Sequence, residues 1–183
     1  MPDQKIVRVI AGKFKGQKLR VPKGFASSPM GNRQRQAIFN SLNTKLDGAR
    51  VLDPFAGSGS LGIEALSRGA SFAQFVEKDG FTFAELKKNI LGLRIDPSAY
   101  SIRRSSSYNF VRNNKYLQFD IIFIDPPYNN FKIRYLEELS PILKEGGIMV
   151  VSSPVEEELP ENIEDLCLIS EKIMARAKIS FYQ

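Results

Sequence analysis

The chain has 183 residues, 43% hydrophobic and 25% charged, which suits one compact globular domain with room for a small appendage. Cys167 stands alone, so a disulfide framework or a cysteine metal cluster is excluded. The chain has no histidine, which removes Ser-His-Asp and Cys-His catalysis and the commonest metal sites. Apolar runs such as 121–124 and 148–151 are too short to cross a bilayer, and the start, Met1-Pro2-Asp3-Gln4-Lys5, lacks the order of a secretory signal. A cytoplasmic protein with no membrane segment and no metal is expected. The net charge of +6 is uneven: residues 1–50 hold eleven Lys/Arg against two Asp/Glu, and the rest hold fifteen against eighteen. A basic front on a mildly acidic body suits a polyanion, and it equally suits a solvated face.

Residues 6–10 and 17–21 alternate apolar and polar, and Gly12 and Gly16 bracket Lys13-Phe14-Lys15 between them, which predicts a β-hairpin. A loop follows through Pro22, Gly24 and Ser27-Ser28-Pro29. Residues 34–46 read as a helix with Ile38, Phe39, Leu42 and Leu46 on one stripe and Asn32 as its N-cap. From Arg50 the texture becomes strands at 50–53, 72–77, 99–103, 119–125 and 147–152, alternating with helices at 61–67, 81–91, 108–112 and 133–143. That alternation predicts an α/β fold, a mostly parallel sheet with helices on both faces. Two closing strands, 167–173 and 178–182, leave no room for a crossover and must pair antiparallel.

The strand at 50–53 runs into Asp53-Pro54-Phe55-Ala56-Gly57-Ser58-Gly59-Ser60-Leu61-Gly62, a G-x-G-x-x-G loop between strand and helix. Alone, this pattern suggests a dinucleotide. A carboxylate at Asp53 would repel a pyrophosphate and would complement the ammonium and sulfonium of S-adenosylmethionine. Glu77, closing the next strand, is placed to accept from both ribose hydroxyls of a nucleoside cofactor. Ser105 or Ser106 reaches the same edge from the third strand. Structural roles are open to each: Asp53 can cap the loop, and Glu77 can be a surface residue before Lys78-Asp79.

The apolar strand 119–125 ends at Asp125-Pro126-Pro127-Tyr128. The prolines stop the ladder and stiffen the turn, which directs the Asp125 carboxylate and the Pro126 carbonyl to the ligand edge of the sheet. An exocyclic base amine is a poor nucleophile, because its lone pair is delocalised. Two acceptors on its N–H groups would orient it and stabilise the charge of in-line methyl transfer. Tyr128 would stack on the base, which must be unpaired or flipped. The plainer reading is a Pro-Pro turn that merely ends a strand.

With these motifs in place, the chain resembles the bacterial 16S rRNA guanine-N2 methyltransferase family of the small ribosomal subunit, named for guanine 966. The resemblance spans nearly the whole length. It is carried by the hairpin from Val7 to Leu19, by Arg33-x-Arg35-x-Ala37-Ile38-Phe39-Asn40, by the stretch from Asp53 to Gly69, and by Asp125-Pro126-Pro127-Tyr128. It implies a class I methyltransferase, Rossmann-like and seven-stranded with an antiparallel last strand. It also implies a basic extension over residues 1–48 on a catalytic domain of 49–183, and 16S rRNA in the 30S subunit or its assembly intermediate as partner. The residues expected to bind S-adenosylmethionine are Asp53, Phe55, Ala56, Gly57, Ser58, Gly59, Glu77, Lys78, Ser106 and Asp125. Lys13, Lys15, Lys18, Arg33 and Arg35 are expected to contact RNA. The chain departs from the family's usual Arg-Pro-Thr lead and acidic pair at Ser28, Pro29, Met30, Asn32 and Gln36, and Ser106 stands where an Asp or Asn commonly meets the cofactor adenine. Other readings of the same residues are an amino-methyltransferase of another RNA or of DNA adenine, a non-catalytic RNA-binding relative, and an NAD-dependent oxidoreductase.

Overall fold

A computed structural model describes residues 5–21, 30–175 and 177–183; the expected loop through Ser27, Ser28 and Pro29 lies outside them. Strands β1 (Ile6–Arg8) and β2 (Lys18–Arg20) pair antiparallel as the front hairpin, followed by helix α1 (Asn32–Leu42). The α/β part runs β3 (Arg50–Asp53), α2 (Ser60–Ser67), β4 (Phe72–Glu77), α3 (Gly80–Gly92), β5 (Tyr100–Arg104), α4 (Ser107–Asn113), β6 (Phe119–Ile124) and α5 (Arg134–Leu139). It closes with β7 (Leu143–Pro154), β8 (Asn162–Ile163), β9 (Leu166–Met174) and β10 (Ala177–Tyr182). The large sheet has the order β5-β4-β3-β6-β7-β10-β9-β8. β5, β4, β3, β6 and β7 are parallel, and β10 is antiparallel to both β7 and β9. Strand order therefore reverses between β3 and β6, and ligands of open α/β sheets collect above such a switch point.

The period of two assigns each strand residue to a face. Val51, Phe75, Ile121, Phe123 and Val150 join one core with Ile63 of α2, Leu86 of α3 and Phe39 of α1. Their neighbours Leu52, Val76, Ile122, Ile124 and Val151 join the other, with Phe110 of α4 and Leu136 of α5. Helices thus cover both faces, as the uninterrupted apolar run of β6 demands.

Two expectations are corrected. The sheet has eight strands, not seven, because Asn162 and Ile163 pair with Cys167 and Leu166. A two-residue strand carries no detectable alternation. Asn32 is not the cap of α1 but its first residue, after Gly31, and its Oδ1 accepts from Arg35 Nη2 at 2.6 Å. The Gln34 side chain accepts from Gly31 N–H instead.

The front hairpin is fastened to α2 by buried polar groups. Glu64, fully buried, accepts from the N–H groups of Ile10 at 2.7 Å and Ala11 at 3.0 Å. Ser67 Oγ accepts from Phe14 N–H, and Lys13 N–H donates to Ser67 O. The chain crosses so closely that a Cβ on Gly12 would overlap the Ser67 carbonyl, and Gly12 also has φ +80°. Val7, Leu19 and Ile38 share the core of the first sheet face.

Candidate active site

A cavity of about 1020 Å³ opens above the switch point. Its wall includes Phe55, Ala56, Gly57 and Ser58 of the glycine loop, Glu77 and Lys78 at the end of β4, and Ser106 at the start of α4. Asp125, Pro126, Pro127 and Tyr128 close it, and Val21, Met30 and Gln34 of the front extension complete the rim. Gly59 stands behind the wall as the N-cap of α2, at φ +83°, where a Cβ would press on Leu86 at 2.6 Å. The Phe55 ring tilts against Tyr135 of α5 with centroids 4.9 Å apart.

Glu77 is held by the loop it faces: Oε2 accepts from Gly57 N–H and Oε1 from Asp79 N–H, both at 2.9 Å. Each carboxylate oxygen keeps a second lone pair for a ligand hydroxyl. Asp53, expected to face the ligand directly, lies one layer below the wall. Its side chain is buried, Oδ2 accepts from Gly62 N–H at 3.2 Å, and Oδ1 meets no donor. Burial pushes the Asp53 carboxyl up to about 7, opposed by its bond from Gly62 N–H and reinforced by the negative Asp125 and Glu77. Asp125 is raised to about 6 by burial, with its bond from Ser152 pulling the other way. Glu77 and Asp125 in the wall, with Asp53 behind it, would repel a polyphosphate and favour a cation.

Tyr128 opens the turn after Pro127, and its hydroxyl lies 3.0 Å from Ser152 Oγ of β7. Ser152 is buried and reaches Asp125 as well. One serine thereby ties together both ends of the Asp-Pro-Pro-Tyr turn. Nothing in the local sequence distinguishes Ser152 from Ser153; only the pairing of β6 with β7 singles it out. Asn89 of α3 is a second residue not anticipated. Its Nδ2 donates to Arg20 O and Ser58 O, and its Oδ1 accepts from Arg20 N–H, all at 2.9 Å.

Of the five basic residues expected on the RNA face, Lys13, Lys15, Lys18 and Arg33 are exposed. Arg35 is not. It is fully buried, its Nη2 donates to Arg8 O at 2.8 Å, and its Nη1 lies 3.9 Å from Glu64. Arg35 is a structural cation that faces Glu64, and it leaves the surface set.

A parallel sheet reversing between β3 and β6, a glycine loop on β3 and acidic ends on β3, β4 and β6 define the class I methyltransferase fold. The chain belongs to the family described as Conserved hypothetical protein 95, which matches residues 7–183. It is 34% identical to Ribosomal RNA small subunit methyltransferase D of Escherichia coli, over 97% of this chain and 89% of that protein. The solved structure of yhhF from Escherichia coli superposes with a TM-score of 0.86 at 32% identity, over 98% of each chain. The Thermus thermophilus 16S rRNA N2 G1207 methyltransferase RsmC, solved with AdoMet and guanosine, shares the fold at a TM-score of 0.73 and 18% identity, over 99% of this chain and 50% of that one.

Proposed function

We propose that this protein transfers a methyl group from S-adenosylmethionine to the exocyclic N2 amine of a guanine in 16S rRNA, within the cytoplasmic 30S subunit or its assembly intermediate. The observation that carries the reading is Asp125-Pro126-Pro127-Tyr128, braced by Ser152, in the wall of the cavity that Glu77 and the glycine loop also line. Membership of a family with named rRNA methyltransferases supports the choice of substrate.

The residues present fit the cofactor. Asp53 has an oxygen without a donor, the carboxylates favour a sulfonium and an ammonium, and Glu77 has free lone pairs for ribose hydroxyls. Phe55, Ala56, Gly57 and Ser58, with Lys78 and Ser106, would hold it, and Gly59 shapes their loop from behind as the cap of α2. When bound, S-adenosylmethionine supplies an electrophilic methyl group. Asp125 and the Pro126 carbonyl accept from the guanine amine and turn its lone pair out of conjugation. Tyr128, held at its hydroxyl, limits the plane in which the base lies. Asp125 is ionised above about pH 6 and can take the proton that the methylated amine releases. Residues 1–48 serve as the RNA-contacting extension of the catalytic part, 49–183, through Lys13, Lys15, Lys18 and Arg33.

The test is transfer of label from S-adenosylmethionine to 30S particles lacking the modification, with duplex DNA alongside. Label on guanine N2 of 16S rRNA is expected. No label on the particles, or label on DNA adenine alone, would refute the assignment.

A further inference from the structure

One carboxylate in the cavity has no part in the scheme above. Glu138 sits on α5, one turn beyond Arg134, and lines the cavity. Its Oε1 is held by Arg134 Nε at 3.4 Å, while its Oε2 is buried and meets no hydrogen-bond donor. A buried carboxylate oxygen without a donor costs free energy, so a donor supplied by a ligand accounts for it.

The position of α5 says which ligand. α4 and α5 lie together on one face of the sheet, packed through Phe110, Tyr135 and Leu136. The hairpin and α1, which bear the exposed Lys13, Lys15, Lys18 and Arg33, pack on the opposite face. Val21, Met30 and Gln34 of the front extension share the cavity with Asp125 and Tyr128, which the scheme above gives to the target base. A nucleoside anchored by its ribose at Glu77 places its own base toward the start of α4, where Ser106 and Glu138 share the cavity wall. The hydroxyls there offer only neutral acceptors, with Ser106 Oγ accepting from Asn109 N–H at 3.2 Å and Ser105 Oγ donating to Ser106 O at 3.0 Å, whereas Glu138 offers a charged one.

We infer that Glu138 is the acceptor for the 6-amino group of the cofactor's adenine and selects adenosine over a 6-keto nucleoside. The inference rests on the cofactor reading above and adds a specificity-determining residue to it. An amine presents N–H donors to Oε2, whereas a 6-keto oxygen would set an acceptor against it.

The test is calorimetric titration of the full chain with S-adenosylhomocysteine and with its deaminated counterpart, S-inosylhomocysteine. The unsubstituted protein is expected to prefer the adenosine compound by at least about tenfold, the scale of one hydrogen bond to a charged group. Glu138→Gln, nearly isosteric and able to donate its amide N–H to a 6-keto oxygen, should bring that ratio to about one or invert it. Because the readout is a ratio within one variant, a general loss of stability does not imitate it. Binding of S-adenosylhomocysteine with the ratio unchanged in Glu138→Gln overturns this assignment alone, as does a variant whose only defect is a raised KM for RNA. Failure of the unsubstituted protein to bind either compound sinks the cofactor reading and this inference with it.

Discussion

Replacing Asp53 by Asn should make the ligand-free protein more stable at alkaline pH while removing its cofactor affinity. Asp53 is buried and raised from 3.8 to about 7, chiefly because burial penalises its charge. For an acid whose folded pKa lies above its unfolded value, the folded state binds more protons. Stability is then lost as pH climbs from about 3.8 to about 7. At 1.36 kcal/mol per unit, the cost is about 2 kcal/mol at pH 5.5 and about 4 kcal/mol at pH 8.5. Asparagine does not titrate, so the variant escapes the part that develops with pH. Its amide Oδ1 still accepts from Gly62 N–H, so that bond contributes little to the difference at either pH. Urea unfolding of the two proteins at pH 5.5 and 8.5, without ligand, measures the difference. The stability of Asp53→Asn relative to the parent should rise by about 2 kcal/mol between the two pH values. A difference that stays flat, or that falls, would show that Asp53 is ionised throughout and that the reasoning from burial is wrong.

Asp53 and Asp125 together set the pH dependence of binding. Affinity for S-adenosylmethionine should weaken by up to about tenfold per unit between pH 7 and 6, where Asp53 takes its proton, and more steeply below pH 6, where Asp125 does so as well; calorimetry across pH 5 to 8 checks this. Neutralising Lys13, Lys15 and Lys18 should reduce the slope of log affinity against log salt by roughly 0.7 for each phosphate of single-stranded RNA that they neutralise. Arg35→Met should leave that slope alone and instead lower stability by about 1–3 kcal/mol, because Arg8 O and Asn32 Oδ1 lose their buried donor while Glu64 keeps its pair with Arg68 at 2.7 Å. Tyr128→Phe removes one of the two partners of Ser152, so stability should fall by about 1 kcal/mol and kcat should drop with little change in KM for the cofactor.

What the sequence made legible was local. The parallel strands other than the polar edge strand β5 announced themselves by short apolar runs, and each site motif sat at a strand end, so the crevice could be placed before any contact was known. Partners distant in sequence were not legible. Arg33 and Arg35 are indistinguishable in a basic stretch, yet one is exposed and the other faces Glu64 of the following helix. Helical phase would have separated them, since Arg35 shares its buried stripe with Ile38, Phe39 and Leu42. Glu137 and Glu138 pose the same problem on α5. Tyr135 and Leu139 are buried, and Glu138, one turn from the first and adjacent to the second, turns to the cavity. Ser152 required knowledge that β6 and β7 are neighbours, which depends on the order of strands and not on any motif.

Helix α2 explains why the basic extension and the glycine loop come in one chain segment. All eight of its residues are buried, an unusual state for a helix that includes two serines and a glutamate. At its start, Gly59 and Gly62 shape the loop and anchor Asp53. In its second half, Glu64 and Ser67 grip the backbone of Ile10, Ala11 and Phe14. Asn89 repeats the link from α3, joining Arg20 of the hairpin to Ser58 of the loop. The extension is therefore fastened to the cofactor loop at two independent points by buried hydrogen bonds, each worth more to break than an exposed one. On the proposed reading, a substrate gripped by Lys13, Lys15 and Lys18 would be held at a fixed distance from the cavity, so these described contacts of the fold would orient it. That is the requirement of a reaction that works by positioning in a chain without histidine.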